Sequence, residues 1–389
     1  MAQVMEGWRL TEEQESFRKL ARELAEEKIA PRAAEYDRTG EFPWDIVELF
    51  REQGLFSLVV PEAYGGAGTD LLTLVVVIEE LARVDATAAL ILAVQELGAL
   101  PIVLGGSEEQ KQRWLPPIAS GQKLVAFALT EPEAGSDPAS LRTRAERRGD
   151  RWVLEGTKRF ITNGSVADVL TTFATVDPAR GHKGIVAFVV EKGTPGFGVS
   201  RLEEKMGLHA SPTAELVFDG CEVPDDHRLG EVGEGFKIAM MTFDRSRPGV
   251  AAQALGIAQG AFDYAVAYMK ERRQFGRLLA EFQGLQFMVA EMATQIEAAR
   301  QLLYYASRLI HDHGYGRLPA EVNRYAAMAK MFCSDTAMRV TTDAVQLLGG
   351  YGYVKDHPVE RMMRDAKITQ IYEGTNEIQK VIIARSYFS

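Results

Sequence analysis

A carboxylate set among apolar residues beside a glycine is a candidate general base. The segment Gln370-Ile-Tyr-Glu-Gly-Thr-Asn-Glu377 carries one at Glu373, with Ile371 and Tyr372 before it, Gly374 after it and a helical pattern beyond. Partial desolvation there would raise its pKa toward that of a useful base. A helix-start glutamate held by the helix dipole is the other reading, and on this segment alone both stand. Three more stretches could do chemistry. Ala128-Leu-Thr-Glu-Pro-Glu-Ala-Gly-Ser-Asp137 ends a strand in a turn dense with hydroxyls and small residues. Its backbone N–H groups could face an anion such as a pyrophosphate, although an ordinary polar loop has the same composition. Lys158-Arg-Phe-Ile-Thr-Asn-Gly164 adds an aromatic ring and polar groups, and Phe160 taken singly reads as core. Glu271-Arg-Arg-Gln-Phe-Gly-Arg277, followed by Phe282-Gln283, places three arginines at a helix break. Arginine geometry suits phosphate, and an exposed cationic helix end is the plainer alternative.

The elements that must position these residues fall into three textures. The first third is helical. Thr11-Glu-Glu-Gln14 reads as a capping box, Pro43 to Phe50 starts a helix that Gly54 stops, and 70–83 is helical again. From about Leu124 short runs rich in β-branched and aromatic residues follow: 125–129, 152–154, 184–190 and 214–218. Turn signals such as Gly149-Asp150 separate them, with no long helices between, which predicts an antiparallel barrel or sandwich. From Gly235 the helical period returns, with helices expected at roughly 235–271, 280–313, 320–348 and 375–387.

Composition narrows the function. The 389 residues exceed one ordinary core, and 46% hydrophobic with 25% charged residues is globular. A net charge of −10 opposes nucleic acid as the main partner. Two cysteines, Cys221 and Cys333, give no disulfide framework and fit a reducing compartment. Met1 to Trp8 lacks a secretory pattern, and apolar stretches such as Leu71 to Ile78 are too short to span a bilayer. No membrane insertion and a cytoplasmic location are expected, or the mitochondrial matrix for a processed form. No G-x-G-x-x-G follows a predicted strand, and neither a P-loop nor a G-x-S-x-G elbow occurs. His311-Asp-His313 is the one histidine cluster; positions i and i+2 of a helix do not face one ligand, so no metal is expected.

Taken together, these stretches resemble the acyl-CoA dehydrogenase family. The turn at 128–137 fits that family's first signature and Gln346 to Asp365 its second. Ile371-Tyr-Glu-Gly-Thr375 resembles its catalytic loop, and Pro61-Glu-Ala-Tyr-Gly-Gly66 matches as well. The likeness runs from about Leu10 to Arg385. It implies a multi-domain α+β fold: an N-terminal helical domain (1–122), a middle antiparallel β-barrel domain (123–232) and a C-terminal four-helix bundle (233–389). It also implies FAD bound without a Rossmann fold.

Residue by residue, the resemblance makes Glu373 the base that abstracts the α proton of an acyl-CoA while the β hydride goes to flavin N5. The product would be the trans-2-enoyl-CoA. Thr130 and Thr162 match hydroxyls on the flavin ring, Phe127 and Leu129 line it, and Gly135 and Ser136 match the pyrophosphate turn. Phe160 stands where tryptophan is usual, and His209 where arginine is usual. Arg272, Gln274, Phe275, Gln283, Gln346 and Gly350 match positions reaching FAD from a neighbouring subunit, and Thr375 and Glu377 also fall at cofactor positions. Ser136, Phe243, Asp244, Arg247, Tyr372 and Gly374 match substrate positions. Some relatives take their base from the helix near Phe243; the matching residue here is Ser246, which cannot serve at neutral pH. Gln95-Glu96 lies beside the usual floor of the acyl pocket. An electron-transfer flavoprotein as acceptor and a homotetramer, a dimer of dimers, follow from the family. The alternatives are a flavin oxidase of the same fold and a non-catalytic scaffold. Glu373 argues against the nitroalkane oxidases, which carry aspartate there.

Overall fold

The computed structural model describes residues 9–388; the absence of a leader read from Met1 to Trp8 lies outside them. Six helices come first: α1 Glu12–Leu24, α2 Ala30–Thr39, α3 Trp44–Glu52, α4 Leu71–Ala82, α5 Ala86–Gly105 and α6 Glu108–Ala119. Eight strands follow: β1 Val125–Ala128, β2 Arg144–Arg148, β3 Arg151–Thr162, β4 Val169–Thr175, β5 Ile185–Glu191, β6 Phe197–Leu202, β7 Thr213–Pro224 and β8 Arg228–Leu229. The chain then returns to helices: α7 Gly235–Glu271, α8 Gln283–Asp312, α9 Ala320–Leu348, α10 Val359–Thr369 and α11 Asn376–Arg385. A two-stranded hairpin, β9 Arg273–Gln274 with β10 Arg277–Leu278, joins α7 to α8.

The expected capping box forms: Thr11 Oγ1 accepts from the Gln14 N–H while the Thr11 N–H donates back to Gln14 Oε1 at 2.9 Å. Asp70 and Asp85 cap α4 and α5 in the same way, each accepting from the backbone N–H three residues on. One apolar core runs without a break from the N-terminal helices through α7, α8 and α9, and the sheet holds a second core of its own around Trp152, Phe188 and Phe218. Burial of the first core supplies most of the helical stability, because propensity alone leaves such helices marginal.

Three sequence expectations need correction. The middle region is not an antiparallel barrel. Its strands form an open mixed sheet in the order β6-β7-β3-β2-β4-β5-β8, with β1 pairing parallel to β4. β2 meets β4 at a single register position, Arg144 opposite Thr175, so this is the weakest pairing along the sheet. The edges end on the short β8 and on the largely exposed β6, which discourages further pairing. Second, a further helix, α10, lies between those expected at 320–348 and 375–387, with Val359, Met362 and Ala366 buried. Third, not every apolar stretch is too short to span a bilayer. α5 is 20 residues long and apolar enough to cross a bilayer, and 83% of its most apolar window is buried within the protein. A helix hydrophobic on every side is what a buried position requires.

Candidate active site

The segment around Glu373 links α10 to α11. Two consecutive left-handed residues, Glu373 (φ 52°) and Gly374 (φ 90°), turn the chain, and the Asn376 N–H closes the loop on the Gln370 carbonyl at 3.0 Å. A non-glycine residue at positive φ is strained and persists only where its surroundings over-determine it. The surroundings here are buried. Lys330 of α9, fully enclosed, donates from Nζ to the Gly374 carbonyl at 2.9 Å and to Asn376 Oδ1 at 3.0 Å. Gln379 Nε2 donates to the same Gly374 carbonyl at 2.9 Å. Asn376 Nδ2 in turn reaches Ser334 and Asp335. Glycine suits position 374 because its φ of 90° is one that L side chains rarely adopt, and a Cβ there would also stand 2.7 Å from Gln379 Nε2 and displace that amide.

The Glu373 side chain points back to α7, where Ser246 Oγ–H donates to Oε2 at 2.5 Å. Arg247, the next residue, is buried and paired with Asp244 at 2.7 Å. Burial raises the Glu373 carboxyl above its ordinary value. The Ser246 hydrogen bond and the positive charges of Lys330 and Arg247 oppose that rise without cancelling it. The same balance acts in reverse on Lys330, which burial pushes down to about 7 against the pull of Glu373. Tyr372 is pinned by its hydroxyl, which donates to Gln253 Oε1. A partly desolvated carboxylate held at one oxygen by a serine can accept a proton. Sequence reasoning missed Lys330, Asn376 and Gln379. A lysine inside the apolar face of α9 is the one signal it offered.

A second set gathers at the ends of β1 and β3. A register shift between Lys158 and Ile161 bulges β3 and turns Phe160 outward at φ 58°, with the Arg159 guanidinium 4.9 Å from its ring. The Arg159 N–H bonds the Thr130 carbonyl at 2.8 Å, which brings the 128–137 turn onto this strand end. The enclosed Lys158 ammonium holds the turn from beneath, donating to the Leu129 carbonyl at 2.9 Å and to Glu131 at 2.7 Å. Thr130, Ser136 and Thr162 have no hydrogen-bond partner for their hydroxyls among the described residues. Gly135 and Ser136 are exposed on the turn. Free hydroxyls beside an exposed aromatic face suit a flat polar ring such as a flavin. Phe127 and Phe243, 5.3 Å apart, join this set to the Glu373 side of α7.

The third set does not join them within one chain. Arg272, Gln274, Phe275 and Gln283 sit at the far end of α7 and the start of α8, with Gln346 and Gly350 at the end of α9. Arg272 lies 5.2 Å from the Tyr351 ring, and Phe275 is 94% exposed at φ 53°. From Ser246 to Arg272 the helix advances about 40 Å. Thr375 caps α11 through the Ile378 N–H, and Glu377 is exposed beside it. His209 is set apart from both inner sets. Its ring nitrogens face the Asp37 and Lys205 carbonyls, each at 2.9 Å, beside the Asp37–Arg364 ion pair that ties α2 to α10. Gln95 faces away from α7, bonding the Lys123 carbonyl and the Val125 N–H.

Family models of the acyl-CoA dehydrogenase N-terminal, middle and C-terminal domains match residues 11–122, 126–221 and 233–388. The chain is 50% identical to an acyl-CoA dehydrogenase of Bacillus subtilis (strain 168) over 377 residues, covering 97% of this chain and 98% of that one. Among solved structures it is similar to a chain from work on the electron transferring flavoprotein of Acidaminococcus fermentans and flavin-based electron bifurcation. That likeness has TM-score 0.95 and 50% identity, covering 98% and 99% of the two chains. It is also similar to butyryl-CoA dehydrogenase from Megasphaera elsdenii, with TM-score 0.94 and 46% identity over 98% and 99%.

Proposed function

The chain belongs to the acyl-CoA dehydrogenase family, and from that premise we propose that Glu373 is the base that takes the α proton of its thioester substrate. The protein is an oxidoreductase acting on acyl-CoA, and its cofactor is FAD. In the proposed reaction the α proton passes to the Glu373 carboxylate as the β hydrogen leaves as hydride, giving a trans-2-enoyl-CoA. FAD, when bound, supplies the two-electron acceptor for that hydride. The observation that carries the assignment is the Glu373 carboxyl itself: burial raises it while one hydroxyl holds it, which matches a base to its task.

The chain's own residues divide the remaining work. Thr130 and Thr162 offer free hydroxyls to the ring, Phe127 and Leu129 line it, Phe160 covers it, and Gly135 and Ser136 offer the turn to its phosphates. Tyr372, fixed through Gln253, walls the substrate side, and Phe243, Asp244 and Arg247 shape the entry along α7. Arg272, Gln274, Phe275, Gln283, Gln346 and Gly350 are assigned to the FAD of a neighbouring subunit. Their distance along α7 from Ser246 and the near-complete exposure of Phe275 support that assignment and a homotetramer. Thr375 and Glu377 complete the cofactor set from the start of α11. The division at 1–122, 123–232 and 233–389, with α7, α8, α9 and α11 as a four-helix bundle, belongs to the same reading.

An electron-transfer flavoprotein is the proposed acceptor, supported by the likeness to the Acidaminococcus-derived chain. The test is anaerobic mixing with a panel of acyl-CoA thioesters, followed by reoxidation. Substrates should bleach the flavin and yield the 2-enoyl-CoA. Reoxidation should be fast with electron-transfer flavoprotein and slow with O₂; fast reoxidation by O₂ alone would make the protein an oxidase.

Ser246 tunes the base in this scheme. Its hydrogen bond stabilises the charged form of Glu373 and holds the pKa below what burial alone would set. Ser246→Ala therefore raises that pKa. Because the base acts unprotonated, the acid limb of the kcat/KM profile moves to higher pH. A profile superimposable on the wild type would remove Ser246 from this role.

A further inference from the structure

Lys158 and Glu131 form a buried ion pair to which the proposed reaction gives no part. Lys158 is wholly enclosed and Glu131 is 4% exposed, with the ammonium 2.7 Å from Glu131 Oε1. Such a pair is a poor source of stability. Desolvation of the two charges offsets their attraction, and well-packed apolar side chains of like volume often stabilise as much or more. What an apolar pair cannot do is hold a particular oxygen in a particular place.

The remaining contacts of the pair all serve the 129–136 turn. The pairing of β1 with β4 ends at Ala128 opposite Thr172, so the next carbonyls leave that ladder. Two consecutive residues of β3 take them up. Lys158 Nζ donates to the Leu129 carbonyl at 2.9 Å, and the Arg159 N–H donates to the Thr130 carbonyl at 2.8 Å. The ammonium thus stands in for a ladder N–H. Glu131 carries the tie onward: its Oε2 accepts the Arg142 N–H at 2.5 Å and its Oε1 the Thr143 N–H at 3.0 Å, both just before β2. The Glu131 N–H donates to the Ala134 carbonyl at 3.1 Å, and the Ala134 N–H returns to the Glu131 carbonyl at 3.2 Å. Glu131 and Ala134 are buried, whereas Pro132, Glu133, Gly135 and Ser136 are exposed. The turn therefore has a fixed inner side and a free outer side.

We infer that Lys158, braced by Glu131, is a positioning residue for FAD: from beneath the turn it presets the outer side on which Thr130 and Ser136 meet the cofactor. The inference rests on the reading that this turn holds FAD. Its physical basis is preorganisation. A site that occupies its binding-competent shape only part of the time binds its ligand more weakly by that fraction. Nothing lies within 4 Å of where a Cβ on Gly135 would stand, so packing does not hold the outer side. The restraint has to come from the inner side, and the ammonium is its one charged donor. A hydrogen bond from a charged group is about twice as strong as a neutral one.

The test is the dissociation constant of FAD, read from the rise in flavin fluorescence as the FAD-loaded protein is diluted, beside the melting temperature in saturating FAD. Lys158→Met should weaken FAD binding and lower the melting temperature together, because it removes the tie and leaves the Glu131 charge buried without its ammonium. The double variant Lys158→Met/Glu131→Gln removes both charges at nearly constant volume. It should melt within a few degrees of the wild type yet hold FAD about tenfold or more weaker, the size of one charge-assisted hydrogen bond lost from the turn. A pair that served stability alone would be repaired in the double variant. FAD affinity there within about threefold of the wild type therefore overturns the inference, whether or not the single variant folds. A double variant that loses stability and FAD together overturns it as well, because the two roles would not separate. Thr130→Val isolates the underlying reading. If it and the double variant both leave FAD affinity unchanged, the turn does not hold FAD; if it weakens FAD and the double variant does not, only the positioning role falls.

Discussion

Glu373→Gln should leave a yellow, FAD-loaded protein whose turnover falls by about three to four decades. The expectation follows from what holds the loop. Lys330 and Gln379 grip the Gly374 carbonyl, and Asn376 ties α11 to α9, so no restraint on the loop passes through the carboxyl except the Ser246 hydrogen bond. A carboxamide of equal size can still accept from Ser246. Geometry is kept and only the proton acceptor is lost. The control is substrate binding, read from the flavin spectrum on titration, which should change little. The pH profile gives a second reading. In the wild type, kcat/KM should fall as pH drops through the raised pKa of Glu373, because protonation would remove the proposed base. In the variant that limb should vanish with the group that causes it. Turnover within tenfold of wild type would place proton abstraction elsewhere.

Lys330→Met comes second in size, with a loss of about 100-fold in turnover and FAD retained. Methionine can fill the stem's place in the core of α9, so the change isolates the ammonium. Without it the Gly374 carbonyl keeps only Gln379, and Asn376 Oδ1 keeps only Ser334. The left-handed pair at 373 and 374 is then free to relax, and a displacement of about 1 Å at a base is worth about two decades. A purely structural lysine would not move the pH profile. Here the lost positive charge should carry the acid limb to higher pH, since Lys330 is one of the groups holding Glu373 down. Stability supplies an independent check on sign. The unfolded lysine keeps its proton to its ordinary value of 10.5, the folded one only to about 7. Between those values the unfolded chain holds the extra proton, so wild-type stability should gain on that of Lys330→Met as pH rises. Melting temperatures of the two proteins that run parallel from pH 7 to 10 would remove the buried-lysine account.

Both effects arise from groups far apart in sequence, and this explains what could be read from the chain in advance. Thr11 and Gln14 predict their own capping box, because partners three residues apart meet in any helix that forms. The ends of α7, α8 and α9 follow from hydrophobic period and from Gly and Pro punctuation for the same reason. β2 and β4 escape such reading. β4 is buried on both faces and shows no alternation, and the chain of β2 is almost wholly charged. The open sheet in place of a barrel was equally hidden, since strand order depends on pairings across tens of residues.

The sequence by itself determined the α, β, α order and the family, and through that resemblance it pointed to Glu373 as the candidate base. Local periodicity, turn chemistry and linear motifs carry that information within a few residues of each other. Only the tertiary structure decided that Ser246 donates to Glu373, that Lys330 and Gln379 hold the loop at Gly374, that Gln95 turns toward the start of β1 and that Glu96 turns in against Gly249. Each of those outcomes depends on which helix face meets which neighbour. That choice is made by packing the whole core at once, so no window along the chain contains it.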